Sequence, residues 1–281
     1  MLIVQTAIVS AGISDTVLVG DDTDLLILLC HHATSPAFNI FFRPEPKRTV
    51  KKSPRCWDIQ RTRNALGIDV CINLLFVHAL LGCDTTSRVF GLGKQVGVTK
   101  LKNNVLFREQ ASKFYNGRAA TKEIITAGEQ ALVALYKGKV TQSLDALRYE
   151  RFCEKVASRN AVLQPQILPP TSAAAQYHSL RVYYQVQEWL GRASHYNVEN
   201  YGWANNDGML IPITTQLDAA PQSLLQIIHC SCKTGCHTLR CSCRKNGVDC
   251  STGCSECRGI CENMTVERVL SDVESDTEEE S

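Results

Sequence analysis

The chain has 281 residues, of which 44% are hydrophobic, and a formal net charge of +2. This length accommodates one sizeable hydrophobic core and a small module, and the hydrophobic share is normal for a globular protein. No basic residue precedes the first apolar run, and no apolar run approaches the roughly 18 residues that cross a bilayer, which argues against export and against a membrane protein. We therefore expect no membrane association and a reducing compartment, either nucleus or cytosol, of which we predict the nucleus.

The first part of the chain alternates predicted helices and strands. Apolar residues at helical spacing predict a buried helix over 2–12. A short, wholly apolar segment at 16–20 predicts a strand covered on both faces of a parallel sheet. A helix over 24–31 and a second strand over 39–42 follow. This alternation favours an α/β fold with a parallel sheet, followed by helices.

Helical periodicity dominates the middle of the chain. It predicts four further helices, over 70–81, 121–137, 143–157 and 172–190. Proline and lysine predict a loop over 43–56, and the prolines between 165 and 170 indicate a boundary. His78, inside an apolar helix, is interpreted as a core histidine with satisfied hydrogen bonds.

These patterns divide the chain into four predicted parts. They are an α/β domain (1–160), a helical and mixed connecting region (161–228), a cysteine-rich module (229–263) and an acidic tail (264–281). The tail ends in SDVESDTEEES, which is acidic and lacks aromatic residues, so we predict that it is disordered. It is a candidate contact for protein partners.

The cysteine-rich module cannot be held together by burial, because it lacks aromatic residues and has few aliphatic ones. Nine of the 14 cysteines fall within 32 residues, with the spacing C-x-C-x3-C-x4-C-x-C-x6-C-x3-C-x2-C-x3-C. They are Cys230, Cys232, Cys236, Cys241, Cys243, Cys250, Cys254, Cys257 and Cys261. Full disulfide pairing of nine thiols leaves one over, and the C-x-C pairs are well placed to chelate one ion. We therefore predict thiolate-bound zinc with little regular structure.

The number of cysteines indicates how many ions the module holds. Two separate four-ligand zinc ions need eight thiolates and leave one idle. Three ions need twelve ligand positions, which nine cysteines supply if three thiolates bridge. We predict three zinc ions, with His229 and His237 as alternative ligands.

The order of these cysteines resembles the tesmin-type CXC domain, a zinc-cluster module that binds DNA, with small departures in spacing toward the end. In that family the residue before the second C-x-C pair enters the DNA minor groove, and Arg240 stands at that place here. The resemblance implies that Lys233, Arg240, Arg244 and Lys245 contact double-stranded DNA, and an arginine suits a narrow minor groove. The alternative is that these are solvated charges on a small knuckle.

Three carboxylates form a second candidate site. Asp22 and Asp24 follow the strand predicted at 16–20, at the strand end where open α/β sheets bind ligands. Asp84 follows the helix predicted at 70–81. Carboxylates that converge at a strand end can hold Mg²⁺, and two such ions can promote phosphodiester hydrolysis. The alternative is that each aspartate caps a helix.

Two segments, GDDTDLLIL and ALLGCDTTSRVFGLGKQVG, resemble the flap-endonuclease-like (PIN-like) nucleases over residues 10–105. In that family an acid-x-acid pair and the aspartate of a GCD motif bind catalytic metals. The resemblance implies metal-binding roles for Asp22, Asp24 and Asp84, and a phosphate-binding turn at Gly91, Gly93 and Lys94. Glycine lets the backbone of such a turn approach a phosphate closely.

The chain also departs from that family. The family builds its site from further acids on an earlier strand and helix, but no acid precedes Asp15 here. We therefore hypothesise an N-terminally truncated, partial PIN-like domain, from a truncated gene model or from a decayed or domesticated mobile element. Such a site should not assemble two metals, so we do not expect an enzyme, and the missing strand would leave a sheet edge open.

The layout also resembles a group of animal CXC-domain proteins that join a GCDTTS segment to the cysteine module through LPPTSAAAQYHSLRVYYQVQEW. This resemblance implies a domain order and no mechanism.

Three candidate functions follow from the sequence. The first is a DNA-binding zinc protein with a degenerate nuclease-like domain. The second is an active Mg²⁺- or Mn²⁺-dependent structure-specific nuclease, and the third is a protein-interaction scaffold.

Overall fold

The structure is a computed structural model that describes residues 1–45, 55–157, 165–215, 229–233, 235–250 and 254–264. Contacts divide the chain into two units, Met1–Thr215 and Gln216–Ser281. Helices and small sheets make up the first unit, which confirms the mixed fold class, and the cysteines lie in the second. Most of the loop predicted at 43–56 and all but the first residue of the acidic tail lie outside the described residues. The limits of the four predicted parts stay predictions.

The first unit begins with a small sheet and two helices. Its elements are α1 (Leu2–Ser10), β1 (Thr16–Val19), α2 (Thr23–His32), β2 (Ile40–Arg43) and β3 (Trp57–Asp58). Strand β1 pairs in parallel with β2, and β2 pairs antiparallel with β3, so β1 lies at one edge of the three-stranded sheet. The predicted parallel pair is therefore present, joined through α2 as in a βαβ unit.

The sequence predicted a buried helix at α1 and a strand covered on both faces at β1, and the exposure of side chains in both elements corrects these expectations. Leu2 and Ile3 are 78% and 61% exposed, whereas α1 buries Val4 and Ala7. In β1 the exposed Val17 and Val19 flank the buried Leu18. The prediction of a strand covered on both faces was wrong, because alternate side chains point to opposite faces and only one face of β1 packs on the core.

Seven helices follow β3. They are α3 (Ile59–Leu66), α4 (Ile68–Leu80), α5 (Lys94–Asn103), α6 (Val105–Lys113), α7 (Thr121–Leu135), α8 (Leu144–Ala157) and α9 (Ser172–Trp189). Four of them match predicted helices to within a few residues, whereas α3, α5 and α6 were not predicted. No single helix among the described residues is long and apolar enough to span a membrane; α3 and α4 pass that test only as a pair bent by 97°.

Helix α4 lies at the centre of the first unit. From Val70 to Leu80 every residue but Ile72 is buried, and the helix packs against α2, α5, α6 and α9. Helix α9 packs against both α4 and α7, so the segment predicted as a connecting region contributes to the core. Trp189 and Tyr183 of α9 are buried there.

A β-hairpin ends the described part of the first unit. Strand β4 (Trp203–Asn206) pairs antiparallel with β5 (Met209–Pro212). The two turn residues, Asp207 and Gly208, both have positive φ, as a two-residue turn between twisted strands requires. The buried Arg181 of α9 donates hydrogen bonds to the backbone oxygens of Gly202 (2.9 Å) and Ile213 (2.7 Å), which anchors the base of the hairpin.

The second unit has almost no regular structure within its described residues. One short helix, α10 (Ser242–Lys245), lies among those described residues. Six cysteines form the buried cluster, while Leu239 and Ile260 are 71% and 86% exposed. The prediction that this module lacks an apolar core is confirmed by that burial pattern.

Candidate metal centre and acidic pocket

The sulfur atoms of the second unit lie at distances that suit a metal. The Sγ atom of Cys230 lies 3.7 Å from that of Cys236, 3.8 Å from that of Cys250 and 3.7 Å from that of Cys257. A tetrahedron with Zn–S bonds of about 2.3 Å has S–S edges of about 3.8 Å. Neighbouring thiols are therefore already spaced as ligands of one tetrahedral ion. We name the nine cysteines from Cys230 to Cys261 the sulfur cluster.

Three sets of four cysteines have all their Sγ atoms within 4.8 Å of one another. They are Cys230, Cys241, Cys243 and Cys250; Cys230, Cys236, Cys250 and Cys257; and Cys230, Cys232, Cys236 and Cys241. The three sets contain twelve positions but only seven different residues, and Cys230 belongs to all of them. The cysteine cluster is therefore arranged so that it could bind metal, with ligands shared between neighbouring sets.

The remaining two cysteines border these sets. The Sγ atom of Cys254 lies 3.5 Å from that of Cys243, and Cys254 is buried. The thiol of Cys261 interacts with the thiols of Cys250 and Cys236. His229 and His237 are exposed and belong to none of the three sets.

Local backbone structure directs these thiols inward. Cys241 is the N-cap of α10, and its Sγ atom accepts a hydrogen bond from the backbone N–H of Arg244 at 3.5 Å. Helix α10 then buries Cys243. The turn after α10 ends at Gly247, whose φ of 70° suits glycine. The C-x-C spacing thus places one cysteine at the cap and the next inside the helix.

Two more donors reach sulfur atoms. The backbone N–H of Cys230 and the side-chain amide of Asn263 lie 3.5 Å from the Sγ atoms of Cys254 and Cys250, respectively. The backbone N–H of Cys250 in turn donates to the carbonyl of Asn263 at 2.7 Å. Donors of this kind orient metal ligands and stabilise their thiolate form.

Burial opposes ionisation of the thiols when no cation is nearby. It raises the pKa of Cys243 to about 12. At Cys241 burial also acts upward, but the N–H of Arg244 and neighbouring thiols outweigh it and lower the pKa to about 6. Because only thiolates bind zinc, metal binding must release protons from most of these residues.

The four basic residues predicted to contact DNA lie on the surface of the second unit. Lys233, Arg240, Arg244 and Lys245 are all exposed. The Arg244 Nη1 atom lies 3.4 Å from the carbonyl oxygen of Cys236, so that side chain lies along the cluster. Three of the four, Arg240, Arg244 and Lys245, lie at or next to α10.

The first unit brings the predicted carboxylates to one pocket. Asp22, Asp24 and Asp84 line a cavity of about 450 Å³, together with Gly93 and Lys94. Burial lowers the pKa of the Lys94 ammonium, and the three carboxylates partly offset this effect. We name this cavity the acidic pocket.

Two of the carboxylates already have partners. Asp22 is the N-cap of α2, with its Oδ1 atom 2.8 Å from the backbone N–H of Asp24. Asp24 in turn pairs with the buried His78, whose Nδ1 atom lies 2.6 Å from Lys94 Nζ. The capping alternative therefore describes Asp22, and the interpretation of His78 as a satisfied core histidine agrees with its contacts. Sequence reasoning did not link His78 to Asp24, because 54 residues separate them.

The turn predicted to bind phosphate has open space around its two glycines, and its phosphate-binding role stays a prediction. Gly91 has a φ of 76°, and a side chain at Gly91 or Gly93 would meet open space. Gly93 is the N-cap of α5 without a side-chain cap, and it lines the acidic pocket together with Lys94. The sets of close metal-ligand atoms within the described residues are all made of cysteines, so the three carboxylates share a cavity without forming such a set. Their metal-binding role stays a prediction.

Comparisons with known proteins add no family to these observations. No family model, no curated protein and no solved structure matched the chain. The resemblances to CXC domains and to PIN-like nucleases therefore stay predictions, and the cysteine cluster is the feature that the structure itself supports.

Proposed function

We propose that this protein is a zinc-containing DNA-binding protein whose sulfur cluster holds three zinc ions. The observation that carries the proposal is the spacing of the Sγ atoms, which matches the edge of a zinc–thiolate tetrahedron. Ligand sharing supports three ions, because three sets drawn from seven residues need bridging thiolates. A zinc cluster of this kind replaces the hydrophobic core that the second unit lacks.

Double-stranded DNA is the proposed partner of the exposed basic residues. Arg240, Arg244 and Lys245 lie together at α10, and no carboxylate in the described part of the chain forms an ion pair with them. Such cations gain free energy by releasing counterions from DNA, and an arginine is favoured in a narrow minor groove. A nuclear location follows from this proposal, and the acidic tail is the proposed contact for protein partners.

The metal content of the purified protein tests the proposed zinc cluster. We expect elemental analysis of the purified full chain to return about three zinc ions per chain. Substitution by Co²⁺ should give the strong thiolate-to-metal charge-transfer absorption of tetrahedral sites. A chain that contains no zinc and does not take up Co²⁺ would exclude the zinc cluster.

Gel-shift assays test the proposed binding to double-stranded DNA. The zinc-loaded chain should retain duplex DNA in gel-shift assays, and Arg240→Ala should weaken binding and lower the salt slope by about 1. Arg61→Ala is the matched control, because Arg61 is exposed on α3 in the first unit. Equal binding by both variants would remove Arg240 from the interface. Zinc without any duplex retention would favour the scaffold function.

A metal-dependent nuclease is the second candidate, favoured by the convergence of Asp22, Asp24 and Asp84 on the acidic pocket. Cleavage of flap, bubble and single-stranded DNA should be measured with Mg²⁺ and Mn²⁺. If this function holds, turnover should be lost in Asp84→Ala and kept in Glu109→Ala, which removes an exposed acid of α6. Absence of turnover with both metals would contradict the nuclease function and favour a degenerate, inactive nuclease-like domain.

A further inference from the structure

A second cavity of the first unit, which shares only Arg88 with the lining of the acidic pocket, carries an excess of positive charge. It has a volume of about 300 Å³ and lies among α7, α8 and α9, with the loop after α4 and the segment before α9. Its polar wall includes three arginines, Arg88, Arg148 and Arg181, and its lining contains neither aspartate nor glutamate. We name it the arginine pocket.

The three guanidinium groups are not neutralised within the described residues. None of them forms an ion pair with a described carboxylate. Arg181 is only 5% exposed and contacts backbone carbonyls and the Trp203 ring. Arg148 donates to the carbonyl of Pro169 at 2.6 Å. Arg148 is half-buried and Arg88 is exposed, and because the lining contains no carboxylate these cations attract an anion to the cavity.

A buried histidine in the same wall has an unsatisfied nitrogen. The Nε2 atom of His178 lies 2.8 Å from the backbone oxygen of Leu80. Because a carbonyl oxygen only accepts, Nε2 carries the proton. Burial lowers the pKa of His178 to about 4, so the ring is neutral at pH 7 and its Nδ1 atom is an acceptor. That Nδ1 atom is buried and has no hydrogen-bond partner in the described part of the chain, and the side chain that carries it lines the cavity.

Most of the rest of the lining is apolar. Val89, Phe90, Leu132 and Leu168 contribute, and Tyr136 closes one side with its hydroxyl near the Phe90 carbonyl. A site with an apolar body, a few cations and one fixed acceptor is typical of pockets for small organic ligands.

We propose that the arginine pocket binds a small organic anion, a carboxylate or a phosphate ester, whose planar apolar body carries an N–H or O–H donor for His178 Nδ1. The anionic group lies against Arg88 and Arg148, the two arginines that have donors to spare. Arg181 contributes charge from behind the wall while it holds the hairpin.

Three probes separate these requirements in titrations of the zinc-loaded full chain. Indole-3-carboxylate has the donor, the planar body and the anion; 1-naphthoate lacks the donor; indole lacks the anion. We expect indole-3-carboxylate to bind about tenfold or more tightly than either of the others, because each lost charge-assisted or buried hydrogen bond costs at least that factor. Phenyl phosphate and benzoate, compared in the same way, distinguish phosphate from carboxylate recognition.

Two readouts locate the binding. Nitrogen-15 NMR should show the His178 Nδ1 resonance shifting with indole-3-carboxylate and not with 1-naphthoate. Arg88→Gln and Arg148→Gln should each weaken indole-3-carboxylate by about tenfold, whereas Arg61→Gln, on exposed α3, should not change its affinity. Saturable binding by none of the probes below about 10 mM would overturn the proposal. It would equally be overturned if indole bound as tightly as its carboxylate, or if the pocket variants matched the control.

Discussion

Replacing Gly128 with alanine should destabilise the first unit, although alanine is the better helix former. Gly128 lies on α7 where α9 crosses it. A Cβ atom added there would overlap the Oγ atom of Ser179 and would lie 2.5 Å from its Cβ atom. Ser179 is fully buried, and its hydroxyl donates to the carbonyl of Ala175 at 2.7 Å, so it has little room to move. The helices must separate to accept the methyl group.

The magnitude follows from two opposing effects. The change from glycine to alanine favours the helix by about 1 kcal/mol. Overpacking a rigid contact costs about 1–3 kcal/mol, and a contact this short belongs at the upper end. We expect a net loss of about 2 kcal/mol in the free energy of unfolding, which lowers the melting temperature by roughly 4–8 °C for a unit of this size.

A double-mutant cycle with Ser179→Gly tests the cause. Removing the Ser179 side chain removes both close contacts, so Gly128→Ala should then stabilise the protein by about 1 kcal/mol, the helix-propensity term alone. Urea unfolding followed by tryptophan fluorescence gives all four stabilities, with the buried Trp189 of α9 as a reporter. The same loss in both backgrounds would refute the close contact of α7 with α9.

Three other outcomes follow from the structure. Cys230→Ser should lose more zinc per chain than Cys232→Ser by elemental analysis, since Cys230 belongs to three ligand sets and Cys232 to one; Cys56→Ser, at an exposed thiol of the first unit, should lose none. His178 has a folded-state pKa of about 4 against 6.5 unfolded, so the unfolded state binds the extra proton and stability should fall as the pH drops from 6.5 toward 4, by up to about 3 kcal/mol. Urea titrations at pH 7 and pH 5 measure this, and an unchanged pH slope in His178→Gln would contradict it. Gly97→Ala should cost about 1–2 kcal/mol in the same urea assay, because its Cβ atom would lie 2.5 Å from Val77 of α4; unchanged stability would show that α5 has room to shift.

The parts of the fold that the sequence predicted are those with strong local patterns. Helices α4 and α7 and strand β1 were found because apolar runs with a clear period bounded by glycine are local signals. Helix α5, with the sequence KQVGVTKLKN, buries only Gly97 and Leu101, so it has no apolar stripe to detect. Propensity alone does not distinguish such a helix from a loop.

The candidate sites also differ in how far the sequence predicted them, according to whether their residues lie close together along the chain. The sulfur cluster was predictable because its ligands lie close in sequence and their types are specific to metal. The partner of Asp24 was not, because His78 reaches it only after α2 packs on α4. The arginine pocket gave no sequence signal at all, since Arg88, Arg148 and Arg181 are brought together by packing of the loop after α4 with α8 and α9, which are distant along the chain.

Different interactions stabilise each of the two units, and this difference gives a final prediction. The first unit buries a large apolar core that includes Phe76, Leu132 and Tyr183, whereas the buried cluster among the described residues of the second consists of cysteines. Removing metal with a chelator should therefore unfold the second unit and leave the first intact. All three tryptophans, Trp57, Trp189 and Trp203, belong to the first unit, so tryptophan fluorescence reports on that unit.

Limited trypsin digestion read by mass spectrometry reports on the second unit, at Lys233, Arg240 and Arg244. With metal bound, cleavage there should be slow even though the side chains are exposed, because a protease needs a locally unfolded backbone. After chelation these bonds should be cut rapidly while the urea midpoint of tryptophan fluorescence stays the same. Readdition of zinc should restore protection, and Cys230→Ser should be cut rapidly with or without zinc. Slow cleavage that persists after complete metal removal would mean that something other than sulfur-bound metal orders this module.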